Sequence, residues 1–200
     1  MDEIKDICEI REVAFKPIIV AEAKEGFARD CYYNRLTVCD FFEPSEYKQI
    51  MYLDNDCLVK KDMNEMFCSN GEFVYVEEVT SSYSLWNGLL LDEKQKIQYN
   101  RGINAGTFVV PGNKFTQYIG EWKNSIFIFP SVHNWGDQNY LNYTIRNNII
   151  PSKKLDDKFF SFVNNTNSVV EHYIGDAKRP LRKLKKMELK IKELESLSLI

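Results

Sequence analysis

The stretch Ile50-Met51-Tyr52-Leu53-Asp54-Asn55-Asp56-Cys57-Leu58-Val59 decides the fold. An apolar run of strand length ends in two carboxylates, and apolar residues resume directly after them. In open α/β sheets ligands bind outside the carboxyl ends of the strands, so a strand that delivers acids at its end reads as one edge of a binding cleft. On extended chain, Asp54 and Asp56 lie two residues apart and point to the same side, where both can face one cation. Hard oxygen donors of this kind suit magnesium or manganese, which keep positions free for phosphate oxygens. An Asp-x-Asp pair alone is more often a solvated turn, and only its setting between two apolar runs raises it above that.

Outward from this stretch the chain alternates. Residues 18–20, after Pro17, read as a short strand. Residues 26–39 read as a helix, with Phe27, Cys31, Tyr32, Arg35, Leu36 and Cys39 at helical spacing. Residues 73–76 and 106–110 read as strands, the second stopped by Pro111-Gly112. Phe115, Tyr118, Ile119 and Trp122 mark a helix, and residues 137–146 another, with Tyr140, Leu141, Thr144 and Ile145 inward. Asn164-Asn165-Thr166-Asn167 reads as a loop and residues 169–173 as a last strand. The alternation predicts an α/β sandwich, and 200 residues suffice for one domain with a real core.

Composition excludes several classes. A net charge of −3 gives no general attraction to nucleic acid, and no apolar run is long enough to cross a bilayer. The acidic start Met1-Asp2-Glu3-Ile4-Lys5-Asp6 lacks the features of a signal peptide, which leads us to expect a cytoplasmic protein. The cysteines, Cys8, Cys31, Cys39, Cys57 and Cys68, are five in number and show no zinc spacing, so they read as reduced packing thiols.

Three further stretches could complete a site around Asp54 and Asp56. His172 lies six residues before Lys178 with Gly175 between them, a spacing that lets an imidazole ligate an ion while the chain turns and the ammonium reaches a diphosphate. An imidazole ligand tilts the choice of ion towards manganese. A histidine that ends a strand is more often structural, which is also the reading given to His133. Asn104-Ala105-Gly106 precedes a strand, either as a tight turn or as small residues that let backbone approach a ligand. Asp137-Gln138 opens a helix, where an aspartate ordinarily caps amide groups; the functional alternative sets both side chains against a sugar. Breaking the bond between a sugar and a diphosphate requires a divalent cation and a positioned lysine or arginine, and these stretches can supply both.

The order Tyr33-Asn34-Arg35-Leu36, then Tyr52 to Asp56, Asn104-Ala105-Gly106, Asp137-Gln138 with Leu141-Asn142, and His172-Tyr173-Ile174-Gly175-Asp176-Ala177-Lys178 resembles glycosyltransferase family 8, which includes glycogenin and bacterial lipopolysaccharide galactosyltransferases. The resemblance spans roughly residues 30 to 180. It implies a GT-A fold, a single α/β domain with a mixed central sheet, here over residues 1–180. It further implies a retaining hexosyltransferase that moves glucose or galactose from UDP-glucose or UDP-galactose to a carbohydrate or protein acceptor that the sequence does not identify. Carried over, Asp54, Asp56 and His172 hold Mn2+, with Mg2+ the second-choice ion. Gly175 and Lys178 contact the diphosphate, and Arg35 helps hold the donor. Asn104, Ala105, Asp137 and Gln138 surround the sugar, the last two as the catalytic pair.

Two features depart from the family. Arg179-Pro180-Leu181 stands where Pro-Trp is common, and fewer than about thirty residues precede the helix that carries the Tyr33 motif, so the strand that holds the base is expected to be missing and the domain truncated at its amino end. That shortfall supports an alternative, a non-catalytic relative acting as a binding or assembly module. A metal-dependent phosphohydrolase is a third reading. Residues 181–200 form a separate basic amphipathic helix with Leu181, Leu184, Met187, Ile191 and Leu194 as its stripe, suited to pairing two chains or to packing back on its own domain.

Overall fold

A computed structural model of the protein describes residues 35–78, 101–128, 137–162, 167–173 and 180–196. Its strands are β1 (Gln49–Leu53), β2 (Cys57–Val59), β3 (Phe73–Glu77), β4 (Ile103–Pro111), β5 (Ser152–Lys154), β6 (Phe160–Ser161) and β7 (Val170–His172). Its α-helices are α1 (Gly112–Ile128), α2 (Gln138–Arg146) and α3 (Pro180–Ser196). A four-stranded sheet runs β1-β4-β3-β5, antiparallel except for the parallel β3–β5 pair. A three-stranded sheet runs β2-β7-β6, with β2–β7 antiparallel and β6–β7 parallel.

Strand β4 is buried along its whole length, as its branched and aromatic residues between two neighbours and two covered faces require. Alternation divides the core. Phe73, Tyr75, Phe108 and Val110 face α1 and α2, where they meet Phe115, Ile119, Trp122 and Leu141. Val74, Val76 and Val109 face the other way, against Leu155, Phe160, Phe162 and Val170. The Phe108 ring stacks between Tyr52 and Phe73, at 5.0 and 5.1 Å. Asn142 locks α2 to the start of β4: its side chain accepts from Ile103 N at 2.7 Å and donates to Ile103 O at 2.9 Å. No helix among the described residues is long and apolar enough to cross a membrane.

Several local expectations need correction. Asp54 and Asp56 do not share a face by strand alternation. β1 ends at Leu53, Cys57 N donates to Asp54 O at 3.1 Å, and the pair sits in the turn between β1 and β2. Asn104-Ala105-Gly106 lies inside β4 rather than before it, beside an irregularity where the β3–β4 register shifts between Tyr75 and Val76. Of the helix expected over residues 26–39, the described end is a turn at Arg35 and Leu36 followed by a 3-10 helix, Val38–Phe41; Pro44 then forces Glu43 into extended conformation. The short strands β5 and β6 carried no alternating pattern to announce them. On α3 the inward side carries Lys183, Met187, Lys190, Ile191 and Leu194, whereas Leu184 is exposed, so the expected apolar stripe is interrupted by two lysines. The strand at residues 18–20, the loop residues 164–166, and His133, Gly175 and Lys178 lie outside the described residues.

Candidate functional site

The backbone brings Asp54, Asp56 and His172 together through the two sheets. Asp54 N donates to Gly106 O at 2.8 Å, which fixes the end of β1 beside β4. Across β2–β7 Cys57 stands opposite His172, and Tyr173 N donates to Asp56 O at 2.9 Å, so the last strand carries its imidazole to the turn. His172 Nε2 lies 2.8 Å from Asp56 Oδ1 and 3.9 Å from Asp54 Oδ2. The imidazole is buried, with the Phe160 and Phe162 rings 5.9 and 5.7 Å away.

These side chains fit a divalent ion on three observations. An octahedral ion with ligands at about 2.1 Å sets adjacent donors about 3 Å apart and opposite donors about 4 Å apart, the range spanned by the two contacts of His172. Asp56 Oδ1 is buried and close to the imidazole yet not aligned with it as a hydrogen bond, and His172 Nδ1 is also without a hydrogen-bond partner. Gly106 keeps the space open: a Cβ there would collide with Asp54 Oδ2, lie 2.6 Å from His172 Cε1 and 2.9 Å from Asn104 Oδ1. The donor atoms that lie within 4.8 Å of one another are those of Asp56, Cys57 and His172, a group that does not include Asp54, which approaches through its 3.9 Å contact with the imidazole. Burial, however, pushes the Cys57 thiol up to about 12, and Sγ sits 3.8 Å from Thr107 Oγ1, so it offers a poor ligand beside two carboxylates. Burial would raise the Asp56 carboxyl, but His172 and Lys183 outweigh it and hold the group at about 2, so it is charged at neutral pH.

Arg35 joins this cluster to the residues expected around the sugar. Its guanidinium lies 3.6 Å from Asp54 Oδ1 and 3.0 Å from Asp137 Oδ2, donates to Ala105 O, and sits 5.1 Å over the Tyr52 ring. Asp137 occupies the cap position of α2 but makes no side-chain capping bond, and its carboxylate is buried against Arg35 without an aligned hydrogen bond. Burial pushes the Asp137 carboxyl up to about 7 against the pull of Arg35. Gln138 Oε1 accepts from Ala105 N at 2.9 Å. Asn104 Oδ1 accepts from Gly106 N at 2.8 Å, and Asn104 Nδ2 donates to Glu78 Oε1 at 2.7 Å.

Thus eight of the residues named from motifs, Arg35, Asp54, Asp56, Asn104, Ala105, Asp137, Gln138 and His172, form one continuous cluster. Three neighbours were missed. Tyr52 donates from its hydroxyl to Asp54 Oδ1 at 2.9 Å; it opens the motif that ends at Asp56, but the sequence assigns it no role of its own. Glu78 is buried, and burial raises its carboxyl. Its signal was available, because residues 73–78 repeat the pattern of an apolar run closed by acids. Lys183 Nζ donates to Asp56 Oδ2 at 2.5 Å from 127 residues away, and no local pattern marks it among the other lysines of α3.

The arrangement is the GT-A fold, a single α/β unit shared with sugar-transferring enzymes. Among solved structures, a galactosyltransferase, LgtC, in complex with donor and acceptor sugar analogs matches with TM-score 0.54 and 16% identity over 72% of this chain. The chain spans 58% of that protein's length. A glycosyltransferase involved in glycosylating the major capsid of PBCV-1 matches with TM-score 0.57 and 13% identity, over 94% of this chain and 89% of the other. Mouse xyloside xylosyltransferase 1 matches with TM-score 0.52 and 13% identity, over 90% of this chain and 73% of the other. No protein-family model matches the chain, and no curated protein matches it in sequence.

Proposed function

We propose that the protein is a metal-dependent glycosyltransferase that takes a hexose from a UDP-sugar and transfers it with retention of configuration. The observation that carries this reading is the approach of His172, from the last strand, to Asp56 and Asp54 in the turn between β1 and β2, with Arg35 linking Asp54 to Asp137. Asp54, Asp56 and His172 hold the ion, Mn2+ by preference because one ligand is an imidazole. When bound, the ion supplies positive charge to the diphosphate leaving group. Arg35 keeps the two acidic centres apart and oriented. Asn104, Ala105, Asp137 and Gln138 line the sugar side, with Asp137 and Gln138 as the pair that acts on it. Glu78 orients Asn104. Gly175 and Lys178 complete the diphosphate contacts in this reading, and UDP-glucose is the first donor to try, UDP-galactose the second.

The test is release of UDP from UDP-glucose in the presence of Mn2+, with and without added acceptors. UDP and a transferred or hydrolysed hexose support the proposal, whereas inorganic phosphate as the product, or no turnover with either donor, contradicts it. Asp56→Asn, which keeps the shape and removes the charge, is expected to fold and to lose on the order of a hundredfold in turnover. A folded variant with unchanged turnover removes Asp56 from the machinery.

A further inference from the structure

The Asp56 carboxylate is divided between two partners. Oδ1 faces the imidazole and the space kept by Gly106, and Oδ2 receives Lys183 from the first turns of α3. This lysine is not a buried structural cation: the Lys183 and Asp56 side chains are 22% and 19% exposed, so the pair is not sealed from solvent, and the lysine has a flexible four-carbon stem on which to move. It also breaks the apolar pattern of the side on which it lies, where Met187, Ile191 and Leu194 are inward. An ammonium on a ligand of a divalent cation repels that cation, and so works against the site while the site holds only the ion. The conflict disappears once an anion with two or more negative charges lies across the same place, because the lysine then has a second partner and the ion keeps the carboxylate.

We propose that Lys183 is a diphosphate-binding residue that pairs with Asp56 until a nucleoside diphosphate arrives, so that the ion and the nucleotide bind far better together than apart. The inference rests on the reading of Asp54, Asp56 and His172 as an ion site. It makes α3 a working part of the cleft rather than a tail, and it couples two ligands through one side chain.

The experiment compares wild type with Lys183→Met, Lys183→Arg and Lys185→Met, the last removing a charge from an exposed position of the same helix. Free Mn2+ is followed by electron paramagnetic resonance without nucleotide, and UDP binding by calorimetry at saturating Mn2+. Lys183→Met is expected to bind Mn2+ alone several-fold more tightly and UDP about tenfold more weakly, the loss of one charge-assisted contact. Lys183→Arg stays near wild type in both, and Lys185→Met changes neither. Opposite movement of the two affinities is a signature that general loss of structure does not produce, and thermal melts confirm that each variant folds. Movement of both in one direction, or of neither, overturns the role of Lys183 while leaving the ion site intact. Failure of wild type to take up Mn2+ with or without UDP overturns the ion site itself and the coupling with it.

Discussion

Asp137 shows how far a side chain can depart from the use its position suggests. At the start of a helix an aspartate ordinarily accepts from backbone amides, yet this one makes no such bond and is buried against Arg35. Its carboxyl is pushed up to about 7 because burial penalises the charged form more than Arg35 favours it. The sign of the linkage follows. Between about 4, the usual value in unfolded chain, and 7, the native state keeps a proton that the unfolded state has released. The stability linked to this group is therefore complete below pH 4 and lost as the pH rises to 7. In ion-free protein, wild type should lose on the order of 2 kcal/mol relative to Asp137→Asn between pH 5 and pH 7, at about 1.4 kcal/mol per pH unit. Urea unfolding of both at the two pH values measures this; parallel pH profiles would show that the carboxyl ionises normally.

At the scale of elements, the site depends on β4 holding its place while the turn and β7 close on it. Asn142 is the fastener, with one donor and one acceptor on the two backbone groups of Ile103, just ahead of Asn104 and Ala105. Asn142→Ala leaves both groups buried and unsatisfied, for an expected loss of about 2 to 4 kcal/mol in urea unfolding. A loss below about 1 kcal/mol would mean that water or a shifted α2 replaces those bonds. The inward positions of α1, Phe115, Tyr118, Ile119 and Trp122, follow directly from their spacing, because one face of a long helix repeats a single pattern. The inward positions of α3 could not be read the same way. Lys183 is turned in by a partner remote in sequence, and an apolar stripe carries no record of such a partner.

For the whole molecule, the α/β order and most of the cluster were legible because each motif is local: a strand ending in acids, small residues next to a strand, a polar pair opening a helix, a histidine on the last strand. Much of what was not legible is long-range. The short strands β5 and β6 and the contacts of Glu78 and Lys183 arise from pairing between strands or from a remote helix, whereas the turn that holds the two aspartates and the Tyr52–Asp54 contact are local but interrupt the strand pattern that the sequence suggests. The account stands on Asp54, Asp56 and His172 sharing one ion. The most direct measurement is a Mn2+ titration by electron paramagnetic resonance in the presence of UDP, on wild type and on Asp54→Asn, Asp56→Asn and His172→Ala. The account predicts one ion per chain in wild type and weakening by at least about tenfold in each variant, with circular dichroism unchanged. Wild type that binds no ion, or folded variants that all keep wild-type affinity, would contradict it.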